Sequence, residues 1–118
     1  MTEAEAAAHG GRVAYLPLDE MDRAITDGRT DGYIKLIAGP RRVLRRVGGG
    51  EIIGATIVAP RAGEMIHEAA LAMRTRMFAG RLAQTVHAYP TWSMGIQKAA
   101  GQFFGEVEGR RARPAQHA

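Results

Sequence analysis

The sequence predicts an α+β domain in which an antiparallel sheet is covered by helices on one face. Three observations carry this. Apolar, partly β-branched segments bounded by Gly and Pro fill the first half of the chain, at 12–16, 32–38 and 51–58. From Gly63 the apolar period lengthens, with Ile66, Ala70, Met73 and Met77 at i, i+4, i+7 and i+11. Strands come first and helices later, which favours segregated layers over alternating βαβ units.

Each element has a local reason. Thr2 and Glu5 have the spacing of a capping box, so a short helix runs from Glu3 to Ala8 and stops at Gly10-Gly11. Arg12–Leu16 is a strand ended by Pro17. Asp19–Ile25 is a helical turn or two, acids first, with Met21 and Ile25 on one side. Gly32–Ala38 is a strand broken by Gly39-Pro40; Arg41–Val47 reads as a second hairpin strand; Gly48-Gly49-Gly50 is a flexible turn. Glu51–Val58 is the strongest strand signal, and its small Gly54-Ala55 centre allows close approach. The helix after Gly63 is followed by a shorter one over 79–87, with Leu82, Ala83 and Val86 inward. Pro90 ends it, and Thr91 caps a third helix through Ile96, Ala99, Ala100 and Phe103. Arg110–Ala118 is basic, contains Pro and reads as a disordered tail.

Composition narrows the function. The chain has 118 residues, 46% hydrophobic and 24% charged, enough for one domain that buries about 65% of its unfolded surface without metal or disulfide. It has no cysteine, which excludes thiolate metal sites and a redox cysteine pair within it. It lacks a long apolar run and a signal-like start, so the expectation is a cytoplasmic protein with no membrane contact. The net charge of +4 is uneven: residues 1–31 hold seven acids and three bases, and the remainder is strongly basic. Aromatic residues are scattered, which disfavours a base-stacking platform. Arg41, Arg42, Arg45 and Arg46 supply the one alternative, a free-standing basic domain that grips nucleic acid through the Arg41–Arg46 hairpin.

Four histidines are the candidates for chemistry. His9 and His117 lie near the ends, His67 stands between Glu64 and Glu68, and His87 ends a helix where a cation suits the dipole. None has a second histidine at ligand spacing, so no metal site is expected. Gly48-Gly49-Gly50 lacks the Lys-Ser/Thr of a phosphate loop. The residues alone support a binding or assembly module better than an enzyme.

Five strings stand in order between residues 2 and 104. They are Thr2–Ala6; Asp22-Arg23-Ala24 followed by Thr30–Leu36; Ile53–Pro60; Ala62–Ile66 with Ala69–Met73; and His87-Ala88-Tyr89-Pro90-Thr91-Trp92-Ser93. Together they resemble the C-terminal dimerisation domain of the pyridine nucleotide-disulfide oxidoreductases, the flavoprotein group of dihydrolipoamide dehydrogenase, glutathione reductase and mercuric reductase. The resemblance implies a dimerisation domain over 1–109, a C-terminal fragment that is inactive alone. It implies a two-fold homodimer with helices 63–77 and 91–104 at the contact. FAD and NAD(P) would be held by N-terminal domains of the parent chain, and none by this chain alone. The family's catalytic histidine falls at Tyr89 and its partner glutamate at Met94. His87, Pro90 and Thr91 would lie near the partner's flavin. Tyrosine is a poor base at neutral pH, so the usual acid–base pair is absent. The resemblance also points the Tyr89 hydroxyl away from its own core; the alternative is that Tyr89 packs on Trp92. The long arginine segment at 41–46 and a tail without a cysteine pair are departures, and a mercuric-reductase-like parent with altered chemistry is the expectation.

Overall fold

In the computed structural model, which describes residues 1–41 and 47–117, four strands form one antiparallel sheet in the order β3-β2-β1-β4. The strands are β1 (Arg12–Pro17), β2 (Tyr33–Gly39), β3 (Glu51–Val58) and β4 (Arg113–Pro114). Ala14 faces Leu36 across β1 and β2, and Leu36 faces Ala55 across β2 and β3. A bulge at Ile37/Ala38 leaves Ile53 as the extra residue of β3.

Strand alternation sends Ala14, Leu16, Ile34, Leu36 and Ile52 to one face, where they meet helices α3 (Ala62–Arg74), α4 (Ala79–Gln84) and α5 (Met94–Gly101). Ile96, Ala99 and Ala100 of α5 are completely buried there. Gly95 is what lets α5 settle so closely: a Cβ at that position would stand 2.5 Å from the Ile34 side chain. The opposite face is only partly covered. The capped helix α1 (Glu3–Ala7) places Ala6 over Val13 and Ile37, with Ala115 beside them. Both halves of the Thr2–Glu5 capping box are formed.

The expected fold class is the observed one, and several local expectations change. The inward stripe of α3 is Met65, Ala69 and Ala72; Ala70 is exposed and Leu71 is 62% exposed. Both stripes are helical, and the one with small residues turns to the sheet because it allows closer packing. Residues 19–25 divide into a 3-10 turn, Leu18–Glu20, and helix α2 (Asp22–Thr26), with Met21 inward and Ile25 outward. Helix α4 ends at Gln84, three residues early, and Val86 is 92% exposed. Thr91 does not cap α5, which begins at Met94; its hydroxyl donates instead to the Ala88 carbonyl at 2.7 Å. Of the expected hairpin strand Arg41–Val47, only its two ends are described, and Val47 opens a 3-10 turn, Val47–Gly49; residues 42–46 lie outside the described residues. The glycine turn is packed rather than free: all three glycines have positive φ, and a Cβ on Gly49 would strike the Phe104 ring at 2.6 Å.

The largest correction concerns the tail, which is part of the sheet. Arg113 and Pro114 pair with Val13 and Arg12, and Ala115 N–H donates to the Gly11 carbonyl. Glu3 receives the Arg113 guanidinium, the Lys35 ammonium and the Gln116 backbone N–H. These donors hold the Glu3 carboxyl down from 4.5 to about 2, Arg113 contributing most, against an opposing effect of burial. Beyond β4 the free edge of β1 is met by a side chain: the buried Gln102 amide accepts from Tyr15 N–H and donates to Tyr15 C=O. Composition alone misreads this segment because its basic residues find their partners far away in sequence.

Candidate functional site

The segment between α4 and α5, residues 85–93, leaves the helix layer as an exposed turn. Arg23 on α2 reaches it from one side and donates to the Pro90 carbonyl at 3.1 Å, while pairing with Asp27 at 2.8 Å. From the same helix Asp22 accepts the Tyr89 hydroxyl at 2.7 Å. Tyr89 is 66% exposed, and the Tyr89-Pro90 peptide is cis. The hydrogen bond to Asp22, reinforced by that carboxylate's charge, pushes the phenol pKa above its ordinary 10. At neutral pH the hydroxyl is therefore a hydrogen-bond donor and not a base. Trp92, three residues on, is buried in the core, so the two rings go to different environments.

His87 takes the other course. Its side chain is only 6% exposed. Nε2 lies 2.6 Å from Glu68 Oε2 on α3, and Nδ1 lies 2.8 Å from the Thr85 carbonyl and 3.2 Å from Gln97 Oε1 on α5. Met94 is half-buried and lines a small pocket with Met21, Asp22, Arg23, Pro90, Thr91 and Lys98. A thioether there neither holds nor transfers a proton. His9, His67 and His117 are exposed. Among the described residues no three His, Cys, Asp or Glu side chains converge on a metal position. No helix among them is long and apolar enough to cross a membrane.

The structure thus brings His87, Tyr89, Pro90 and Thr91 into one turn, with Met94 opening α5 beside it, and adds three residues not named as site candidates from the sequence: Asp22, Glu68 and Gln97. Asp22 opens the Asp22-Arg23-Ala24 string and Glu68 stands beside His67, but nothing local pairs Asp22 with a residue 67 positions away or Glu68 with one 19 away. Arg41, the described member of the arginine segment, lies over the Phe78 ring at 4.2 Å and pairs with Glu51. Arg42, Arg45 and Arg46 lie outside the described residues.

A sheet layered with helices on one face, with an exposed turn between α4 and α5, defines a domain of the α+β class. The comparisons with known proteins give its family. Residues 1–100 match the family described as pyridine nucleotide-disulphide oxidoreductase, dimerisation domain, and the chain belongs to it. It is 42% identical over 93 residues to a mercuric reductase of Acidithiobacillus ferrooxidans, covering 79% of this chain and 16% of that protein. It is 34% identical to a dihydrolipoyl dehydrogenase of Thermus scotoductus, covering 83% and 20%. The crystal structure of LpdA from Mycobacterium tuberculosis superposes with a TM-score of 0.72 at 33% identity, over 86% of this chain and 20% of that one. The chain spans between 15% and 22% of the curated relatives it matches. This match leaves the nucleic-acid reading without support.

Proposed function

We propose that this domain pairs two-fold with a second copy of itself and presents the Tyr89 turn to the partner's active site. The observation that carries the reading is the apolar surface around that turn. Val86, next to His87 in the turn, is exposed, and so is Leu71, one turn beyond Glu68 on the helix that His87 contacts. The Tyr89–Asp22 contact sets the tyrosine beside α2, where Ile25 is exposed. Large apolar side chains left uncovered around one polar turn are the mark of a surface that another protein covers. We assign the parent to the FAD- and NAD(P)-dependent oxidoreductases, in keeping with the family match, and we assign it a cytoplasmic location.

The residues of the turn do not fit a flavin held by this chain. Both ring nitrogens of His87, the Pro90 carbonyl and the Thr91 hydroxyl already have partners inside the domain. His87, Pro90 and Thr91 therefore act as the frame of the turn, and Tyr89 is its outward polar group. Because Met94 replaces an acid, the site takes protons from water or from another domain, with Tyr89 as a donor that orients.

Sedimentation of the chain across a concentration series tests this. A concentration-dependent dimer that Leu71→Glu dissociates is the expected result. A wild-type chain that stays monomeric throughout, or a dimer indifferent to Leu71→Glu, overturns the proposed interface.

A further inference from the structure

We infer that His87 and Glu68 share a single proton, and that this pair is the latch that positions the Tyr89–Pro90–Thr91 turn. The inference follows from counting donors and acceptors around the ring. Nδ1 faces two oxygens, the Thr85 carbonyl and Gln97 Oε1. The Gln97 amide nitrogen donates to the Ala83 carbonyl at 3.1 Å, which fixes its oxygen toward the ring. Nδ1 must then carry a hydrogen. Nε2 faces a carboxylate oxygen at 2.6 Å, a separation that requires one hydrogen between them, on the ring or on the acid. If neither bore it, a nitrogen lone pair would face a carboxylate at that distance.

The surroundings make that proton matter. Among the described residues Glu68 Oε1 is buried without a hydrogen-bond partner, and the carboxyl group bonds through Oε2 to His87. The groups that face the ring are Glu68 from α3, the neutral Gln97 amide from α5 and the carbonyl at the end of α4. His87 lies two residues before Tyr89, and its ring is the contact that ties this end of the turn to α3. The other end is held by Arg23 and Asp22 of α2. Removal of the shared proton opens the first tie and leaves the second. His87 is accordingly a positioning residue for Tyr89, and the latch deepens the reading of this turn as the element offered to a partner.

Nitrogen-detected NMR of the 118-residue chain tests it without reference to dimerisation, in dilute and concentrated samples alike. Expected is an Nδ1-protonated ring. As pH rises, loss of the shared proton should shift the His87 ring and the amides of 86, 88 and 89 together, while amides of β1 and β2 stay still. Glu68→Gln supplies an amide donor to a neutral ring, so the turn should stay ordered and lose its pH response. Glu68→Ala should speed amide exchange in the turn by about tenfold to a hundredfold, the scale of one hydrogen bond to a charged group. An Nδ1-unprotonated ring, or a His87 titration that leaves the turn amides unmoved, overturns the latch. Because the wild-type titration decides the matter, a variant that fails to fold leaves the test intact. A monomeric chain with a working latch would remove the interface proposal alone.

Discussion

The 110–117 tail and the 85–93 turn both lie outside the helix layer, and both are tied back by carboxylates. They are held differently. The tail converges on one carboxylate with three donors, Arg113, Lys35 and the Gln116 N–H, and also pairs with a strand edge. The turn is held by dispersed contacts, His87 to Glu68 and Gln97, Tyr89 to Asp22 and the Pro90 carbonyl to Arg23. The tail's arrangement closes the sheet and covers apolar residues on its second face. The turn's arrangement fixes a position while leaving Val86 and Tyr89 bare. The tail's anchors tie it into the sheet, whereas the turn's anchors leave its tip exposed. Each variant below breaks one side of that contrast.

The largest effect is expected at Gln102, which supports the tail side. Gln102→Leu keeps the volume but strips both bonds from the Tyr15 backbone, with a cost of about 2–3 kcal/mol for two polar groups left unpaired. Thermal or urea unfolding measures it. A loss below the scale of one hydrogen bond would mean that water replaces the amide and that this edge is open.

Glu3 comes next. Its carboxyl is held below its unfolded value, so its contribution is present above pH 4.5 and is lost as pH falls toward about 2. Glu3→Gln should cost about 1 kcal/mol at neutral pH, the scale of a partly exposed ion-pair cluster. It should also flatten that part of the acid limb of the stability curve. An acid limb identical to wild type would remove Glu3 as the clamp on the tail.

The smallest effect falls on the turn. Tyr89→Phe keeps the ring and removes an exposed hydroxyl, so stability should stay within ~0.5 kcal/mol of wild type. The phenol's pKa is raised by Asp22, so its tie is present below pH 10 and lost as pH rises further through the folded value. In a full-length parent the same variant should lower turnover about tenfold if the hydroxyl orients a substrate or proton. Turnover equal to wild type across pH would restrict Tyr89 to packing.

Much of the frame was legible locally. A capping box needs only Thr2 and Glu5, a strand needs only its alternation, and the resemblance rests on strings of five to eight residues. The site was legible only as a segment. Tyr89 and Met94 could be placed against a family motif, but their environment could not, because Asp22 lies 67 residues from Tyr89.

What the sequence by itself determined is the order and type of the main elements and the family. Those depend on residue identity and on spacing along the chain. The tertiary structure alone decided which stripe of α3 turns inward, that the basic tail becomes a strand, and that His87 is enclosed while Tyr89 is exposed. Each of those outcomes rests on contacts between residues distant in sequence. A carboxylate's partners depend on which donors the closed sheet carries to it, and no local pattern encodes that distance.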